Sequence, residues 1–492
     1  MENIEVTLKD FSMIRVNCSS SIAQELSDYF CFFVPGYKFM PAYRRKVWDG
    51  RIRLFNRNNG EINAGLFWKI KQFAMNRGYG VALKDSHYGL ANDRNKVNHI
   101  ELLKTISTFE NLPFLPRDYQ YDAITHAIEN KRCVLVSPTG SGKSFIIYLL
   151  MRWFLNHNED QKVLVVVPTT GLVQQMYSDF TDYGFDADAN CHQIYSGRDK
   201  DTEKRIIITT WQSIHRLSGK WFENFGAIFG DECHGFKAKS LSSIMNKAIN
   251  AEYRFGTTGT LDGTETNKLV LEGLFGPVMK VTTTAKLQKE KKLANLNIDI
   301  IQLQYAKEIR DTLKEATYQD EIDFIVSCDA RNRFIRNLAC SLEGNTLILF
   351  NLVEKHGKVL RDLIEDKLED GRRLFYVSGE VKANDREAIR KIVESQSNSI
   401  TLASLGTFST GINIRNIHNI IFASPSKSQI RVLQSIGRGL RLSDDGRDTK
   451  LYDIADDLRS NGKPNFTLGH SAERIKIYKN EKFNFKVTQV QL

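Results

Sequence analysis

Short apolar runs that end in small or polar residues recur along the chain, and segments with helical spacing separate them. In the first half, such runs fall at residues 134–136, 162–168, 205–213, 227–234 and 254–260. In the second half, they fall at residues 345–350, 373–377, 399–405 and 419–423. Apolar strands that alternate with helices are typical of parallel sheets covered by helices on both faces. The pattern predicts an α/β fold with two such sheets.

Helical spacing of apolar positions flanks the first of these runs, at residues 117–128 and 145–154. In the second half, the same spacing predicts helices over 354–367 and 384–395. Residues 101–113 have few periodic apolar positions and predict a linker.

The chain turns polar after Leu451. Asp456-Asp457 and residues 460–464 predict a turn, because clustered polar residues with Gly and Pro favour loops. Residues 471–482 predict an amphipathic helix that packs back on the rest of the protein.

The first 100 residues form a module with a different pattern. Serines from Ser19 onward predict the start of a helix, since a serine side chain caps free backbone amides. Residues 51–54 alternate polar and apolar and predict a half-buried strand. Asn59-Gly60 predicts a hairpin, and residues 64–77 predict a further helix.

Length and composition set the outline of the protein. A chain of 492 residues is long enough for about three domains. We expect an N-terminal module over 1–100, a first α/β domain over 114–280, a second over 295–450 and a tail over 451–492. Seven scattered cysteines without a Cys-x-x-Cys pair, and no apolar run of ~18 residues, favour a reduced, soluble, cytoplasmic protein.

Positive charge is concentrated in the N-terminal module. The chain has a net charge of +10, and residues 38–77 alone hold ten Lys and Arg against two acids. Basic side chains near aromatic ones suit contacts with a nucleic-acid backbone, although a solvated strand face is the alternative. The candidate contacts are Arg44, Arg45, Lys46, Arg51 and Arg53.

A glycine turn joins the strand at 134–136 to the helix that follows. Amides of such a turn and the helix N-terminus attract phosphate groups. Lys143 places a charge where the β- and γ-phosphates of a nucleotide would lie, and the Ser144 hydroxyl is a ligand for Mg²⁺. The predicted ATP-binding residues here are Ser137, Pro138, Thr139, Gly140, Ser141, Gly142, Lys143 and Ser144. The first glycine of the usual pattern is Ser137 in this chain; the alternative is a glycine turn that binds nothing.

Two carboxylates end the strand predicted at 227–231. Asp231 is suited to hold Mg²⁺, and Glu232 is suited to orient or deprotonate an attacking water. These residues, with Lys143 and Ser144, form a sufficient set for ATP hydrolysis. His234 is a candidate for coupling this site to its surroundings.

Polar residues follow other strands at the edge where parallel sheets bind ligands. The candidate nucleic-acid contacts among them are Thr169, Thr170, Gln212, Ser378 and Thr407. Thr258 and Thr260 end another strand and are candidates for relaying the state of the nucleotide. In the second half, Arg438 and Arg441 lie three residues apart and would share one helical face, as arginines that stabilise a phosphoryl-transfer transition state.

The ordered set of motifs resembles superfamily 2 helicases. The resemblance covers about 115–445, through the segments 117–120, 139–144, 167–170, 231–234, 258–260, 409–413 and 434–441. Thr258-Gly-Thr260 departs from the Ser-Ala-Thr of many relatives. The resemblance implies two tandem RecA-like domains with ATP between them, and a small α+β domain in front.

The resemblance also implies roles for single residues. Arg117 and Gln120 would join the ATP-binding residues, with Gln120 on the adenine edge. Gln434 would join the catalytic arginines, and Cys233 and Gly411 would join the coupling residues. The implied cofactors are ATP and Mg²⁺.

The whole chain, with its basic N-terminal module, resembles helicases of T-even bacteriophages. That implies a monomeric motor acting on branched or duplex DNA and RNA–DNA hybrids, with phage recombination proteins as partners in a bacterial host. Double-strand translocases share the motifs and remain an alternative. An ATP-gated annealing factor is another, whereas a small-molecule kinase would have no use for the motifs of the second domain.

Overall fold

The computed structural model describes most of the chain. The described residues are 3–34, 36–84, 97–109, 111–195, 197–237, 239–261, 265–369, 371–381, 383–411, 416–424, 437, 447–460 and 462–492.

The strands form two large sheets and two small ones. In chain order they are β1 Asn3–Leu8, β2 Met13–Asn17, β3 Cys31–Phe33, β4 Arg51–Arg53, β5 Glu61–Asn63, β6 Gly80–Leu83, β7 Arg132–Val136, β8 Lys162–Val167, β9 Cys191–Ile194, β10 Ile206–Thr210, β11 Phe225–Asp231, β12 Tyr253–Thr258, β13 Val278–Lys280, β14 Leu296–Gln304, β15 Thr346–Phe350, β16 Arg373–Val377, β17 Ser399–Ser404, β18 Asn419–Phe422, β19 Thr449–Asp457 and β20 Asn484–Gln491.

The helices follow the strands in alternation through both halves. They are α1 Ser20–Tyr29, α2 Pro41–Arg44, α3 Phe67–Arg77, α4 His99–Ser107, α5 Asp118–Asn130, α6 Lys143–His157, α7 Thr170–Asp182, α8 Ala187–Asn190, α9 Trp211–Ile214, α10 Gly219–Phe222, α11 Lys239–Lys247, α12 Glu265–Phe275, α13 Thr284–Lys289, α14 Lys307–Thr312, α15 Tyr318–Ser327, α16 Asp329–Ser341, α17 Lys358–Glu365, α18 Ala383–Glu394, α19 Leu405–Gly411 and α20 Phe466–Asn480. Short 3-10 segments lie at 37–39, 64–66 and 233–237, and a π-helical turn lies at 353–357.

The chain divides into two compact units. One comprises residues 1–137 and 142–281, and the other comprises residues 138–141 and 282–492. Each unit contains one seven-stranded sheet. No helix in the described ranges combines the length and the apolar character that a bilayer crossing requires.

The sheet of the first unit has the order β13-β7-β12-β11-β8-β10-β9. All its pairs are parallel, and its central strands are buried along their length. Such strands must be apolar on both faces, which explains the near-continuous Val, Ile and Leu runs.

The sheet of the second unit has the order β16-β17-β15-β18-β19-β14-β20, again with parallel pairs throughout. Its core includes Ile348, Leu402 and Ile421 from three adjacent strands. The predicted α/β class with two RecA-like parallel sheets is confirmed.

The N-terminal module has its own core and packs against helix α12 of the first unit. Ser19 caps α1 by accepting a hydrogen bond from the Ile22 amide, and α3 buries Ile70 and Phe73, as predicted. The module is α+β, with the sheet order β5-β2-β1-β6. Its contact with α12 is close, because a Cβ at Gly65 would lie 2.1 Å from the carbonyl oxygen of Glu272.

Two predictions in this module were wrong. The strand expected to be half-buried is β4, and its three residues are exposed because it pairs only with β3 in an isolated two-stranded sheet. Asn59-Gly60 does form a turn, with Gly60 at φ +70°. That turn closes a single bridge between Asn56 and Glu61 and does not join β4 to β5 as a hairpin.

The predicted linker at 101–113 was also wrong, since α4 occupies much of it. The Asn98 side chain caps this helix by accepting hydrogen bonds from the amides of Ile100 and Glu101. Leu102 and Ile106 form its buried stripe. Ile100 and Leu103 are apolar but exposed, so the helical spacing of the buried positions is hard to recognise in the sequence.

The predicted turn at Asp456-Asp457 was wrong as well. Both aspartates lie within β19, an interior strand of the second sheet. Burial of carboxylates in a strand requires paired cations: Arg331 of α16, 125 positions earlier, pairs with Asp456, and the nearby Arg459 pairs with Asp457. Beyond β19, the tail contributes α20 and the edge strand β20, which pairs with β14.

Candidate active site and nucleic-acid interface

The loop between β7 and α6 is shaped by two glycines. Gly140 and Gly142 both have φ +83°, a conformation that L side chains rarely adopt. The Lys143 ammonium donates to the Ser137 carbonyl oxygen at 3.2 Å, and the Ser141 hydroxyl donates to the Pro138 carbonyl oxygen at 2.7 Å. The lysine therefore lies folded over the loop at the start of α6, with Ser144 beside it.

Gln120 lies against this loop from α5. Its side-chain oxygen accepts a hydrogen bond from the Arg117 amide at 2.9 Å. Its amide nitrogen would lie 2.3 Å from a Cβ at Gly142, so a side chain there would displace Gln120, and the φ of +83° also favours glycine. The Arg117 guanidinium donates to the Tyr119 hydroxyl at 3.2 Å. The structure thus brings Arg117 and Gln120 together with the last glycine of the loop.

Strand order explains how the loop meets the two carboxylates. β12 lies between β7 and β11, so the carboxyl ends of all three strands are adjacent. The register pairs Val136 with Thr258 and Thr257 with Asp231. The Ser137 amide also donates to the Thr258 carbonyl oxygen at 2.9 Å. Residues separated by about a hundred positions in sequence therefore share one end of the sheet.

Asp231 is a buried carboxylate with one hydroxyl donor. The Thr257 hydroxyl donates to its Oδ1 at 2.8 Å. Burial, followed by the charge of Glu232, raises the pKa of Asp231 to about 6, although Lys143 and the Thr257 hydrogen bond lower it. A poorly solvated anion of this kind is stabilised by a nearby cation.

The donor set fits a Mg²⁺ ion that also binds phosphate oxygens. Mg²⁺ is usually held by one or two carboxylates together with water and phosphate oxygens. Asp231 supplies a carboxylate, and Ser144 supplies a hydroxyl in the first turn of α6. Among the described residues, no group of three or more His, Cys, Asp or Glu side chains has the arrangement of a metal site held by protein alone.

Glu232 has the unusual backbone angle φ +49°, which is costly for a residue with a side chain. His234 Nδ1 lies 3.3 Å from Glu232 Oε2 and 3.0 Å from the Thr258 hydroxyl. The Thr258 hydroxyl donates to the Thr260 carbonyl oxygen at 2.9 Å. Glu232, His234, Thr258 and Thr260 therefore form one hydrogen-bonded network between the ends of β11 and β12.

Cys233 has a packing role at the adjoining carboxyl ends of β7, β12 and β11, here termed the ATP corner. It is fully buried, and burial raises the pKa of its thiol well above the ordinary value, so the thiol stays neutral. A Cβ at Gly256 would lie 2.9 Å from its sulfur, which shows how closely it packs against β12.

Two further strand ends lie beside this corner, because β8 and β10 are adjacent in the sheet. The Gln212 side chain donates to the Pro168 carbonyl oxygen at 3.5 Å and bridges the two ends. Thr169 caps α7 by accepting from the Leu172 amide, and Thr170 is the first residue of that helix. The structure brings these three polar residues together on the first unit.

Two candidate contacts in the second unit turn inward. Ser378 is fully buried, and its hydroxyl accepts a hydrogen bond from the Glu380 amide at 3.4 Å. Thr407 is buried and accepts from the Ser404 hydroxyl at 2.7 Å. Gly379 lies next to Thr407, since a Cβ there would be 3.9 Å from Oγ1, so the two loops adjoin.

Gly411 ends α19, and the residues that follow it in the motif, 412–413, lie outside the described part of the chain. The predicted catalytic residues Gln434, Arg438 and Arg441 also lie outside the described residues.

The five basic candidates of the N-terminal module are all exposed. Arg44 ends α2, Arg45 and Lys46 follow it, and Arg51 and Arg53 lie on β4. The Arg53 guanidinium is paired with Asp49 at 2.5 Å, which reduces its availability.

Thr257 is the site residue that the sequence reasoning missed. The run 254–260 drew attention to Thr258 and Thr260, whereas Thr257 reads as an ordinary strand residue. Only the pairing of β12 with β11 reveals that its hydroxyl meets Asp231.

Comparison with known proteins decides the family. The family models described as "DNA helicase UvsW, N-terminal", "Type III restriction enzyme, res subunit" and "Helicase conserved C-terminal domain" match residues 3–84, 113–263 and 330–443. The ATP-dependent DNA helicase UvsW of Enterobacteria phage T4 is 35% identical over 508 aligned residues, and the alignment covers 100% of both chains. The chain belongs to the UvsW family of ATP-dependent DNA helicases.

Solved structures agree with this assignment. The crystal structure of T4 UvsW matches this UvsW-family chain with a TM-score of 0.52 at 34% identity, over 99% of each chain. A structure of S. cerevisiae Dbp5 bound to RNA and ADP BeF3 matches with a TM-score of 0.52 at 13% identity, over 80% of this chain and 93% of that chain. At such low identity the second match shows the fold alone. The predicted superfamily 2 helicase and its ATP-dependent activity are confirmed.

Proposed function

We propose that this UvsW-family helicase remodels branched DNA, including forks, Holliday junctions and R-loops, and hydrolyses ATP at the adjoining ends of β7, β11 and β12. The observation that carries the hydrolysis site is the approach of Lys143, Asp231 and Glu232 across three neighbouring strands, with the charge of Lys143 acting on Asp231. Phosphoryl transfer depends mainly on positioning and charge neutralisation, and this corner provides both.

Each residue of the corner has a proposed task. Backbone amides of the loop 137–142 and the Lys143 ammonium bind the phosphates. The Gln120 side chain, already ordered by the Arg117 amide, contacts the adenine edge. Asp231 and Ser144 hold Mg²⁺, which when bound neutralises charge on the β- and γ-phosphates.

Glu232 is the proposed general base for the attacking water. Its strained backbone and its contact with His234 hold the carboxylate in one orientation. A fixed orientation matters because proton abstraction requires a short contact to the water. Arg438 and Arg441, with Gln434, are proposed from the sequence to stabilise the transition state.

The network from Glu232 through His234 to Thr258 and Thr260 is proposed to pass the state of the nucleotide to the DNA-binding surface. It joins the ends of β11 and β12 by hydrogen bonds that a shift of Glu232 would alter. Cys233 keeps these strands in close packing, and Gly411 is the proposed counterpart in the second unit.

The ends of β8 and β10 are proposed to contact a DNA strand through Thr169, Thr170 and Gln212, because they lie at the same sheet edge as the ATP corner. The buried hydroxyls of Ser378 and Thr407 support a role in shaping their loops, so contacts there would come from backbone amides. The exposed cations of the N-terminal module are proposed to contact the phosphates of duplex arms. RNA–DNA hybrids and phage recombination proteins are proposed partners, and the host cytoplasm is the proposed site of action.

A double-strand translocase that never separates strands remains the alternative function. A substrate panel distinguishes the two: forks, four-way junctions, R-loops and plain duplex, each with and without ATP. We expect ATP-dependent conversion of the branched substrates and none of the plain duplex. Displacement of a bound roadblock from plain duplex, without conversion of any branched substrate, would favour the translocase. Conversion without ATP hydrolysis would favour an annealing factor.

The Lys143→Ala variant supplies the control for this panel. Removal of a charge at the transferred phosphate is expected to reduce DNA-stimulated ATP hydrolysis about 10²-fold or more, with DNA binding retained. Conversion of branched substrates by this variant at the normal rate would contradict the proposal.

A further inference from the structure

Residues 36–50 connect the paired strands β3 and β4 and form an ordered excursion, here termed the basic loop. Three large apolar side chains on it are exposed: Phe39 by 77%, Val47 by 79% and Met40 by 37%. Phe33 and Ile52, on the flanking strands, are also exposed. Exposed apolar groups clustered in this way are typical of a surface that binds something.

The basic loop is rigid enough to present these side chains. The Tyr37 ring stacks on the Phe33 ring, with 4.6 Å between the ring centres, and meets the Tyr43 ring edge-on, with 4.8 Å between the centres. Gly50 lies against Tyr37, since a Cβ at Gly50 would be 2.3 Å from the ring. The Val47 amide donates to the Ala42 carbonyl oxygen at 3.0 Å. A preformed loop loses little conformational entropy on binding.

Positive charge surrounds the apolar side chains. The segment 31–54 contains six Lys and Arg residues and a single acid, Asp49. The Asp49 carboxylate is already paired with Arg53 and accepts from the Arg51 amide. The Arg51 guanidinium lies 4.4 Å from the centre of the Phe33 ring. The field around the apolar side chains therefore favours a polyanion over an acidic or neutral protein surface.

We propose that the basic loop is a branch-point wedge: Phe39 stacks on the base pair that is left uncovered where DNA arms meet, Val47 packs against the same pair, and Lys38, Arg44, Arg45 and Lys46 contact the flanking phosphates. This inference rests on the proposed branched-DNA function. It adds the residues that would distinguish a junction from continuous duplex.

Stacking gives a physical reason for selectivity. Within continuous duplex both faces of every base pair are covered by its neighbours. An apolar side chain can reach such a face only if two stacked base pairs are first separated. At a fork or junction the terminal pair is uncovered, and stacking on an aromatic side chain is favourable. Phosphate contacts are similar on both kinds of DNA, so they raise affinity without selectivity.

The test uses the full chain and a double variant, Phe39→Ala with Val47→Ala. Binding is measured by anisotropy on a four-way junction and on plain duplex of equal length. A 2-aminopurine base in the pair next to the branch point reports, through its fluorescence, whether a side chain stacks on that base. We expect the double variant to bind the junction about tenfold more weakly and the plain duplex less than twofold more weakly. The change in 2-aminopurine fluorescence that binding of the wild-type chain produces should disappear.

Two controls separate stacking from other effects. Met75 lies on α3 of the same module and is 75% exposed, so Met75→Ala removes an apolar surface group outside the basic loop and should leave both affinities unchanged. Phe39→Trp keeps a stacking face and should retain junction binding. Arg44→Ala with Arg45→Ala should weaken binding to junction and duplex alike.

Equal losses on junction and duplex in the double variant, or no loss, would overturn the wedge while leaving the branched-DNA function intact. An unchanged DNA affinity together with loss of a protein partner would assign the surface to that protein and also overturn the wedge. A wild-type chain that binds junction and duplex equally would overturn both the wedge and the proposed substrate.

Discussion

Each unit buries aspartates in its sheet, yet the surroundings differ. In the first unit, the buried Asp231 accepts a hydrogen bond from the Thr257 hydroxyl, and Lys143 acts on it only through its charge. In the second unit, Asp453 and Asp456 lie on β19 and are each bound by a buried arginine and a tyrosine. The first carboxylate is held by a neutral hydroxyl, and the other two are held by guanidinium groups.

The two pairs of the second unit follow one plan. Arg474 Nη2 lies 2.7 Å from Asp453 Oδ1, and Arg331 Nε lies 2.7 Å from Asp456 Oδ1. Burial alone would lower the pKa of each guanidinium, but the charge of its aspartate raises it above the ordinary value. Because Asp453 and Asp456 are three positions apart on a strand, they face opposite sides of the sheet.

The difference separates structure from function. A buried carboxylate held by a fixed arginine stabilises the fold once formed, since the loss of either partner leaves a buried charge unpaired. A buried carboxylate held by uncharged donors costs free energy in the folded chain, which is a cost that binding of a cation with the nucleotide would offset. The predictions below test this contrast in four ways.

The largest effect is expected from Asp456→Asn. The substitution removes the charge that holds Arg331 and should lower the free energy of unfolding of the second unit by about 3–5 kcal/mol. All five tryptophans lie in the first unit, so tryptophan fluorescence reports unfolding of that unit alone, and the part of the circular-dichroism change that does not coincide with it during urea unfolding reports the second unit. Asp457→Asn is the matched control, because Asp457 pairs with the partly exposed Arg459 and should lose less. A decrease in the free energy of unfolding below about 1 kcal/mol for Asp456→Asn would show that the buried pair with Arg331 is not a structural charge pair of the kind described.

In contrast to Asp456→Asn, the substitution Asp231→Asn is expected to raise the free energy of unfolding in metal-free and nucleotide-free protein. Asparagine can still accept from Thr257 but carries no charge, so the first unit should gain about 1–3 kcal/mol at pH 7 while ATP hydrolysis is lost. Between pH 3.8, the ordinary pKa of aspartate, and about 6, the folded chain binds more protons at Asp231 than the unfolded chain. Wild-type stability from this group therefore falls as the pH rises through that window.

The free energy of unfolding of the first unit is measured by tryptophan fluorescence during urea unfolding at pH 4 and pH 7. The gain from Asp231→Asn should be larger at pH 7 than at pH 4. A destabilised Asp231→Asn variant, or a gain independent of pH, would show that Asp231 is a structural charge like Asp456.

A smaller effect is expected from Thr257→Val, which keeps the side-chain shape and removes the hydroxyl. The ionised Asp231 would lose its hydroxyl donor, so the first unit should lose about 1 kcal/mol of its free energy of unfolding at pH 7. Thr257→Ser retains the hydroxyl and should behave like wild type. Equal stability of the Val and Ser variants would show that the Thr257 hydroxyl does not stabilise Asp231.

The smallest effect is expected from Lys355→Ala. Lys355 pairs with Asp323 at 2.8 Å on the surface of the second unit, where water screens both charges. The unfolding midpoint of the second unit should not change measurably. A loss as large as that of Asp456→Asn would mean that burial is not what distinguishes the pairs.

Much of the fold followed from the sequence, because apolar strands, glycine turns and helical spacing are local signals. The loop 137–144, the strand ending at Asp231 and the α/β class were all accessible in this way. Strand order was not, since nothing local states that β12 lies between β7 and β11. The adjacency of Lys143, Asp231 and Thr257 depends on that order.

The misplaced elements have the same origin. Asp456-Asp457 resembles a turn until Arg331, 125 positions earlier, neutralises the first of them. β4 resembles a half-buried strand until its pairing with β3 alone leaves it uncovered. Long-range partners decided each case, and a single sequence does not reveal them. The exposed side chains of Phe39 and Val47 likewise became visible only once the core of the module was known.

The most direct test of the central claim, that Glu232 is the base of a hydrolysis site at the ends of β7, β11 and β12, is the rate of DNA-stimulated ATP hydrolysis by Glu232→Gln. The amide keeps the shape of the side chain but cannot take a proton. We expect the rate to fall about 10²-fold or more while the affinities for ATP and for a four-way junction stay within about twofold of wild type. Hydrolysis at the wild-type rate would contradict the account.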